Sequence, residues 1–225
     1  MNSEELREIY NERYENDHAH QINTREIDLY EKYFHLLKLG KKKFATHLDI
    51  GCGMGHKTVA FGKNSEKILA IDLSDYVIDV VRKMYSHKKK ITFSTQNILE
   101  TNAKFEFITA LGLSLINEPN IDVYIGVVTN ILKQNLTKTK GSALVISSFT
   151  DFSGGNIESW YYHTEGELDE LMSKLNAIDG FTAKIIFPHK IRQNYLNYGV
   201  YNFLAEIYKG IKSKRRNYFI VIEHE

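Results

Sequence analysis

Between Phe44 and Phe61 an apolar run ending in an acid passes through three glycines spaced two apart and into a helix-forming stretch. The central residues are His47-Leu48-Asp49-Ile50-Gly51-Cys52-Gly53-Met54-Gly55-His56. Phe44 to Ile50 predicts a strand and Lys57 to Phe61 a helix, so the glycines form the turn between them. Glycine permits a tight turn and lets a ligand reach the backbone with no Cβ in the way. The first amides of the following helix add partial positive charge. Such a turn binds a nucleotide-like ligand.

Spacing narrows the ligand. A dinucleotide fingerprint, G-x-G-x-x-G, would need glycine where this chain has His56. Here the pattern is Asp-x-Gly-x-Gly-x-Gly, with an anion ahead of the turn that would repel a pyrophosphate and suits an ammonium. S-adenosylmethionine carries an ammonium and a sulfonium and no phosphate. Asp72 closes the next apolar run, about 20 positions past the turn, where a carboxylate accepts from both hydroxyls of an unphosphorylated ribose.

On these residues the chain resembles the class I S-adenosylmethionine-dependent methyltransferases. Asp49 to Gly55 is similar to the family's first motif and Ala70-Ile71-Asp72-Leu73-Ser74 to its second. Motif-level likeness spans roughly residues 45 to 150, and the remainder follows the family only in strand-and-helix order. The resemblance implies that Asp49 holds the turn and the cofactor's ammonium end, directly or through water. It implies that Gly51, Cys52, Gly53 and Gly55 line the methionine moiety, that Asp72 takes the ribose and that Leu73 lies on the adenine. After the third strand the family often has an acid; this chain has Gln96-Asn97-Ile98, so Asn97 would accept through an uncharged carbonyl. Leu111 and Gly112 would flank the methyl path.

The rest of the chain reads as alternating strands and helices. Helices are predicted at Ser3 to His18, at Asn23 to Leu39 with Gly40 as its stop, from Ser74 with Ser74 as cap, at Asn120 to Leu132, and at Glu165 to Leu175 with a Thr164/Glu167 capping box. Further strands are predicted at Ile68 to Asp72, Ile91 to Ser94, Phe105 to Leu111, Gly141 to Ser148, Phe181 to Phe187 and Asn217 to Glu223. The expectation is an α/β Rossmann-like, doubly wound sheet of seven strands, mostly parallel with an antiparallel last strand, plus N-terminal helices. A chain of 225 residues with 43% hydrophobic content forms one domain. Residues 1–40 are expected to be a helical lid, and the aromatic-rich stretch 188–216 part of the acceptor site. A single cysteine, a charged beginning and no long apolar run make a cytoplasmic protein the expectation.

Catalytic candidates are fewer. His163, after Trp160-Tyr161-Tyr162 in the loop following the fifth strand, is the candidate base, or else packs a pocket wall. Tyr10 and Tyr14 share a helix face and either fold over the cofactor or pack between helices. His18 and His20 lack a matching ligand cluster, so no metal is expected. The lysine clusters at 41–43 and 88–90 and the basic run 212–216 precede strands, on solvated loops, which argues against nucleic acid. The function expected is methyl transfer to an oxygen or nitrogen of a small polar acceptor, such as a sugar or nucleotide-linked sugar. The alternatives are an RNA methyltransferase and a catalytically silent cofactor-binding subunit. The carboxylate of Asp72 is expected to be solvated in the empty site.

Overall fold

The computed structural model of the chain describes residues 3–16, 24–157, 160–188 and 216–225. Strands β1 (Phe44–Ile50), β2 (Ser65–Asp72), β3 (Ile91–Thr95), β4 (Phe107–Leu111), β5 (Ala143–Thr150), β8 (Phe181–Ile186) and β9 (Arg216–His224) form one sheet. Its order is β3-β2-β1-β4-β5-β9-β8. The first five strands run parallel to their neighbours, and β9 runs antiparallel to both β5 and β8. Strand order reverses between β1 and β4, so a crevice opens beyond the carboxyl ends of these two strands. A separate hairpin, β6 (Gly155–Ile157) with β7 (Trp160–Tyr162), follows β5. Its strands are too short to show a period in sequence, which is why the segment reads there as plain loop.

Helices cover both faces. Leu48 and Ile50 of β1 point into a core with Ile108 and Ile146, closed by Tyr124, Val128 and Ile131 of α5 (Ile121–Asn135) and Leu171 of α6 (Glu165–Asn176). On the opposite face Phe107 and Val145 meet Phe34 of α2 (Thr24–Leu36), Leu37 just past its end and Phe61 of α3 (His56–Phe61). A smaller cluster joins Ala70 and Phe93 to Val77, Ile78 and Val81 of α4 (Asp75–Met84). The remaining helix is α1 (Ser3–Asn16). Among the described residues no helix is long and apolar enough to cross a membrane.

The helix starts follow capping chemistry. The Ser74 hydroxyl accepts from Val77 N at 3.1 Å, and the Asn120 carbonyl accepts from the amides of Asp122 and Val123. Thr164 and Glu167 close a reciprocal capping box. The end of α2 differs from expectation. The helix stops at Leu36, Lys38 takes the left-handed conformation at φ 62°, and Gly40 lies beyond the turn. Gly40 serves packing instead: a Cβ there would come within 2.1 Å of the His35 ring. Strand β4 starts two residues later than predicted, because Phe105 forms an isolated bridge with Leu136. Strand β5 runs to Thr150, two residues past its expected end.

Phe107 is fully buried, stacked on Phe44 at 4.5 Å between ring centroids and 6.0 Å from Phe34. Truncating such a ring removes its burial and leaves a cavity, so Phe107→Ala should destabilise the fold by about 3–5 kcal/mol. Urea unfolding checks this; a midpoint unchanged from wild type would contradict the packing described.

Candidate functional site

Two strand ends build the crevice. At the first, Gly51 N and Cys52 N both donate to the Ile71 carbonyl, at 2.9 and 3.0 Å, which folds the turn back over the neighbouring strand. Gly51 has φ 68°, a conformation that favours glycine, and a Cβ on it would push on Leu113 Cδ1 at 2.7 Å. At the second strand end, Asp72 Oδ2 accepts from Gly53 N at 2.9 Å and Oδ1 from Ser74 N at 3.0 Å. One carboxylate thus ties the glycine turn to the start of α4. It is only 7% exposed, not solvated as expected from sequence. Burial raises its pKa, and the amide donors of Ser74 and Gly53 partly counter that. The Cys52 side chain turns away into the cluster of Ala70 and Val77, where burial pushes its thiol pKa up; its backbone is the part that faces the turn.

Asp49 lies deeper. It stands in register with Thr109 of β4, whose hydroxyl donates to Oδ1 at 2.6 Å, while the Thr58 hydroxyl of α3 donates to Oδ2 at 2.5 Å. The Thr109 oxygen is also 2.8 Å from His47 Nε2. Its single proton goes to the carboxylate, so it accepts from His47, which must carry its hydrogen on Nε2. His47 is fully buried and stays neutral, its pKa pushed down to about 3 by burial and by the charge of Lys90. Asp49 is pushed up to about 6, chiefly by burial, with the hydroxyls of Thr109 and Thr58 opposing. A polar chain His47–Thr109–Asp49–Thr58 therefore runs through an otherwise apolar layer.

The other positions singled out in sequence divide. Gly112 (φ 75°) donates its amide to Ser147 O at 2.9 Å, and the Leu111 side chain packs into the core while its carbonyl accepts from Lys57 Nζ at 2.9 Å. Leu73 is half-buried beside Asp72. Asn97 caps a short 3-10 turn, its carbonyl accepting from Leu99 N at 3.0 Å, so the oxygen expected to face a ligand already has an internal partner. Ile98 points into the main core.

Helix α1 crosses over the crevice. Tyr14 Oη lies 3.0 Å from where a Gly53 Cβ would be, and the Tyr10 hydroxyl bonds that of Ser114. Asn11 Oδ1 accepts from Ser74 Oγ at 2.7 Å and from Tyr76 N at 3.3 Å, and Arg7 lies 3.7 Å from Asp75. Both tyrosines singled out in sequence therefore face the glycine turn and the loop after β4. Burial, reinforced by the charge of Asp72, raises the pKa of the Tyr14 phenol.

His163 requires a correction. It is 1% exposed, with Nε2 3.1 Å from the Glu118 carbonyl and its ring edge-on to Tyr161 at 4.9 Å and to Tyr124 at 6.3 Å. Burial lowers its pKa. An imidazole held this way is a packing joint between the hairpin and the loop after β4, without the access that a general base needs. His18, His20 and residues 189–215 of the aromatic-rich stretch lie outside the described residues. The lysine clusters have structural partners: Lys42 pairs with Glu223 at 2.5 Å, and Lys90 donates to the carbonyls of Gly62, Lys63 and Ser65.

Sequence reading missed Thr58, Thr109 and Lys57. Thr109 had a signal, since a polar residue inside the apolar run of β4 needs an internal partner, whereas Thr58 lies on α3. Lys57 was hidden at a position that reads as ordinary helix surface. It borders a cleft of about 170 Å³ that also touches Tyr30, Gly112, Ser147, Phe149 and Phe219.

The buried acids set a pH dependence. Asp49 and Asp72 both titrate higher in the folded chain than the usual carboxylate value of 3.8. Protonation of Asp49 therefore favours the fold fully below about pH 4, a contribution lost as pH rises through about 6, and Asp72 contributes with the same sign. Each tenfold change in acidity corresponds to about 1.4 kcal/mol. Asp49→Asn should remove its share of the dependence. The melting temperature of the ligand-free variant, relative to wild type, should rise between pH 4.5 and 7, and a constant difference would contradict the buried anion.

Residues 48–135 match a family model described as a methyltransferase domain. Among curated protein sequences none matches the chain significantly. Among solved structures, the N-methyltransferase NodS from Bradyrhizobium japonicum WM9 superposes with a TM-score of 0.60 at 14% identity, over 91% of this chain and 99% of that one. The plantazolicin methyltransferase BpumL, solved with a triazolic desmethylPZN analog and SAH, gives 0.61 at 16% identity over 95% and 89%. Magnesium protoporphyrin IX methyltransferase (ChlM) from Synechocystis PCC 6803, solved with bound SAH, gives 0.59 at 14% over the full length of both. At these identities the structures establish the fold, and the family model covers residues 48–135. The matched residues include the glycine turn after β1, with Asp49 ahead of it, and Asp72 at the end of β2.

Proposed function

We propose that the chain transfers the methyl group of S-adenosylmethionine to an oxygen or nitrogen of a small polar acceptor. The observation that carries this reading is the pair of buried acids on either side of the glycine turn, Asp49 on Thr58 and Thr109 and Asp72 on Gly53 N and Ser74 N. Neither acid has a cation as hydrogen-bond partner among the described residues, and the ligand that fits carries its positive charges on an ammonium and a sulfonium. Asp49 faces the ammonium end, directly or through water. Asp72 keeps lone pairs for the two ribose hydroxyls beyond its amide contacts. Leu73 lies on the adenine, Asn97 and Ile98 edge it, and Leu111 and Gly112 border the methyl path. Helix α1, with Tyr10 and Tyr14, acts as the lid.

Methyl transfer from a sulfonium is an in-line displacement. The carbon–sulfur bond breaks as the acceptor's lone pair forms the new bond, and sulfur keeps the released electron pair. The protein's part is to hold the acceptor atom about 3–3.5 Å from the methyl carbon and to exclude water. The acceptor is placed in the cleft past Gly112, the one lining residue shared with the expected cofactor seat.

Titration calorimetry should show binding of S-adenosylmethionine or its demethylated product and no comparable heat with NAD; the reverse would sink the assignment. Asp72→Ala should weaken cofactor binding by about tenfold to a hundredfold, since a hydrogen bond to a charged group is worth roughly 1.5–3 kcal/mol. The same variant should also melt lower without ligand, because two backbone amides lose their acceptor. Unchanged cofactor affinity would show that Asp72 is purely structural.

A further inference from the structure

The cleft beside Gly112 has a wall charge that the cofactor reading does not use. Its described lining includes one ionisable cation, Lys57, and no acid. The Lys57 ammonium is positioned from two sides: it donates to Leu111 O at 2.9 Å and lies 5.4 Å from the centre of the Tyr30 ring. It sits 3.3 Å from where a Cβ on Gly112 would be, so it borders the narrow passage between the cofactor turn and the cleft. Among the described residues, Leu111 O is its one hydrogen-bond acceptor, which leaves donor capacity on a group with three hydrogens.

The rest of the lining is of another kind. Tyr30 and Phe149, both half-buried, offer apolar ring surface, and Ser147 adds a neutral polar group. A flat body with an anionic oxygen group fits this lining. The body packs on the rings, and the anion replaces solvent on the ammonium as a charge-assisted hydrogen bond. An acceptor with a cationic group at this point would meet a fixed like charge in a partly enclosed cleft.

Resting on the methyltransferase reading above, we propose that the acceptor carries a carboxylate or phosphate, and that Lys57 seats this group beside Gly112 while the acceptor's body lies between Tyr30 and Phe149. Lys57 is then a specificity-determining residue, fixing which end of the acceptor points toward the methyl path.

The test uses the full chain saturated with S-adenosylhomocysteine, titrated with benzoate and phenyl phosphate as anionic probes and benzamide as the neutral one. At least one anion should bind tenfold or more tighter than benzamide, and which one does so separates carboxylate from phosphate. Lys57→Met should erase that preference while leaving benzamide unchanged, and Lys57→Arg should keep it. Anions that bind no tighter than benzamide to the wild type, or do not bind at all, overturn the proposal, and this comparison decides even if the methionine variant fails to fold. A methionine variant that binds benzoate and phenyl phosphate normally but S-adenosylhomocysteine weakly also overturns it, assigning Lys57 to the cofactor's own carboxylate. Absence of S-adenosylhomocysteine binding by the wild type is a different failure, that of the cofactor reading itself.

Discussion

Everything at the crevice depends on one carboxylate with two amide donors. Asp72 holds Gly53 N on one side and Ser74 N on the other, so the glycine turn after β1 and the start of α4 share a single anchor. A turn with three glycines at positive φ has little of its own to fix it, since glycine loses more conformational freedom on ordering than any other residue. The anchor supplies that order before any ligand arrives. Its cost is a buried charge, seen in the raised pKa. The ordering of the turn and the readiness to accept a polar, positively charged ligand are consequences of the same placement.

Asp49 repeats the logic one strand over, with hydroxyls in place of amides. Hydroxyls solvate an anion without neutralising it, so the charge stays available to whatever enters the turn. The sheet makes this possible. Asp49 and Thr109 are register partners on adjacent parallel strands, and His47 lies two residues back on the same face. Packing of Phe107 against His47, at 4.6 Å between rings, closes the layer beneath the polar chain. A one-residue slip of β4 would turn Thr109 to the other face and leave Asp49 short of one donor. The aromatic core under the site therefore stabilises the fold and sets the register on which the acid depends.

Much of this was legible in the sequence, for reasons that can be named. The glycine turn and both acids were visible because their spacing is local, and α4, α5 and α6 because their caps and apolar stripes are local as well. The end of α2 misled because Gly40 answers to the His35 ring, a packing constraint that a stop-signal reading does not contain. Hairpin β6–β7 was invisible because three residues per strand carry no period. His163 misled for the opposite reason: its place in the chain order was read correctly, but its burial against Glu118 and Tyr124 is a tertiary fact. Thr58 meets Asp49 across nine positions and Thr109 meets it across sixty, while Lys57 matters through the shape of a cleft, and which partner each one finds is a tertiary fact.

The burial of His163 also bears on how the reaction proceeds. With that imidazole enclosed, the candidate base identified in sequence has no access, and among the described lining of the cleft the remaining ionisable side chains are tyrosines and Lys57. A cation beside an acceptor favours the acceptor's deprotonated form and holds its orientation, which suits an oxygen nucleophile better than an amine bearing its own charge. On the proposed reading the chain thus separates its charges by strand: anions after β1 and β2 for a cationic cofactor, a cation facing β4 and β5 for an anionic acceptor. On the same reading methyl transfer quenches the sulfonium charge, so Asp49 and Asp72 would hold the cofactor product less strongly than the substrate. The electrostatic layout that gathers the two reactants also favours the product's release.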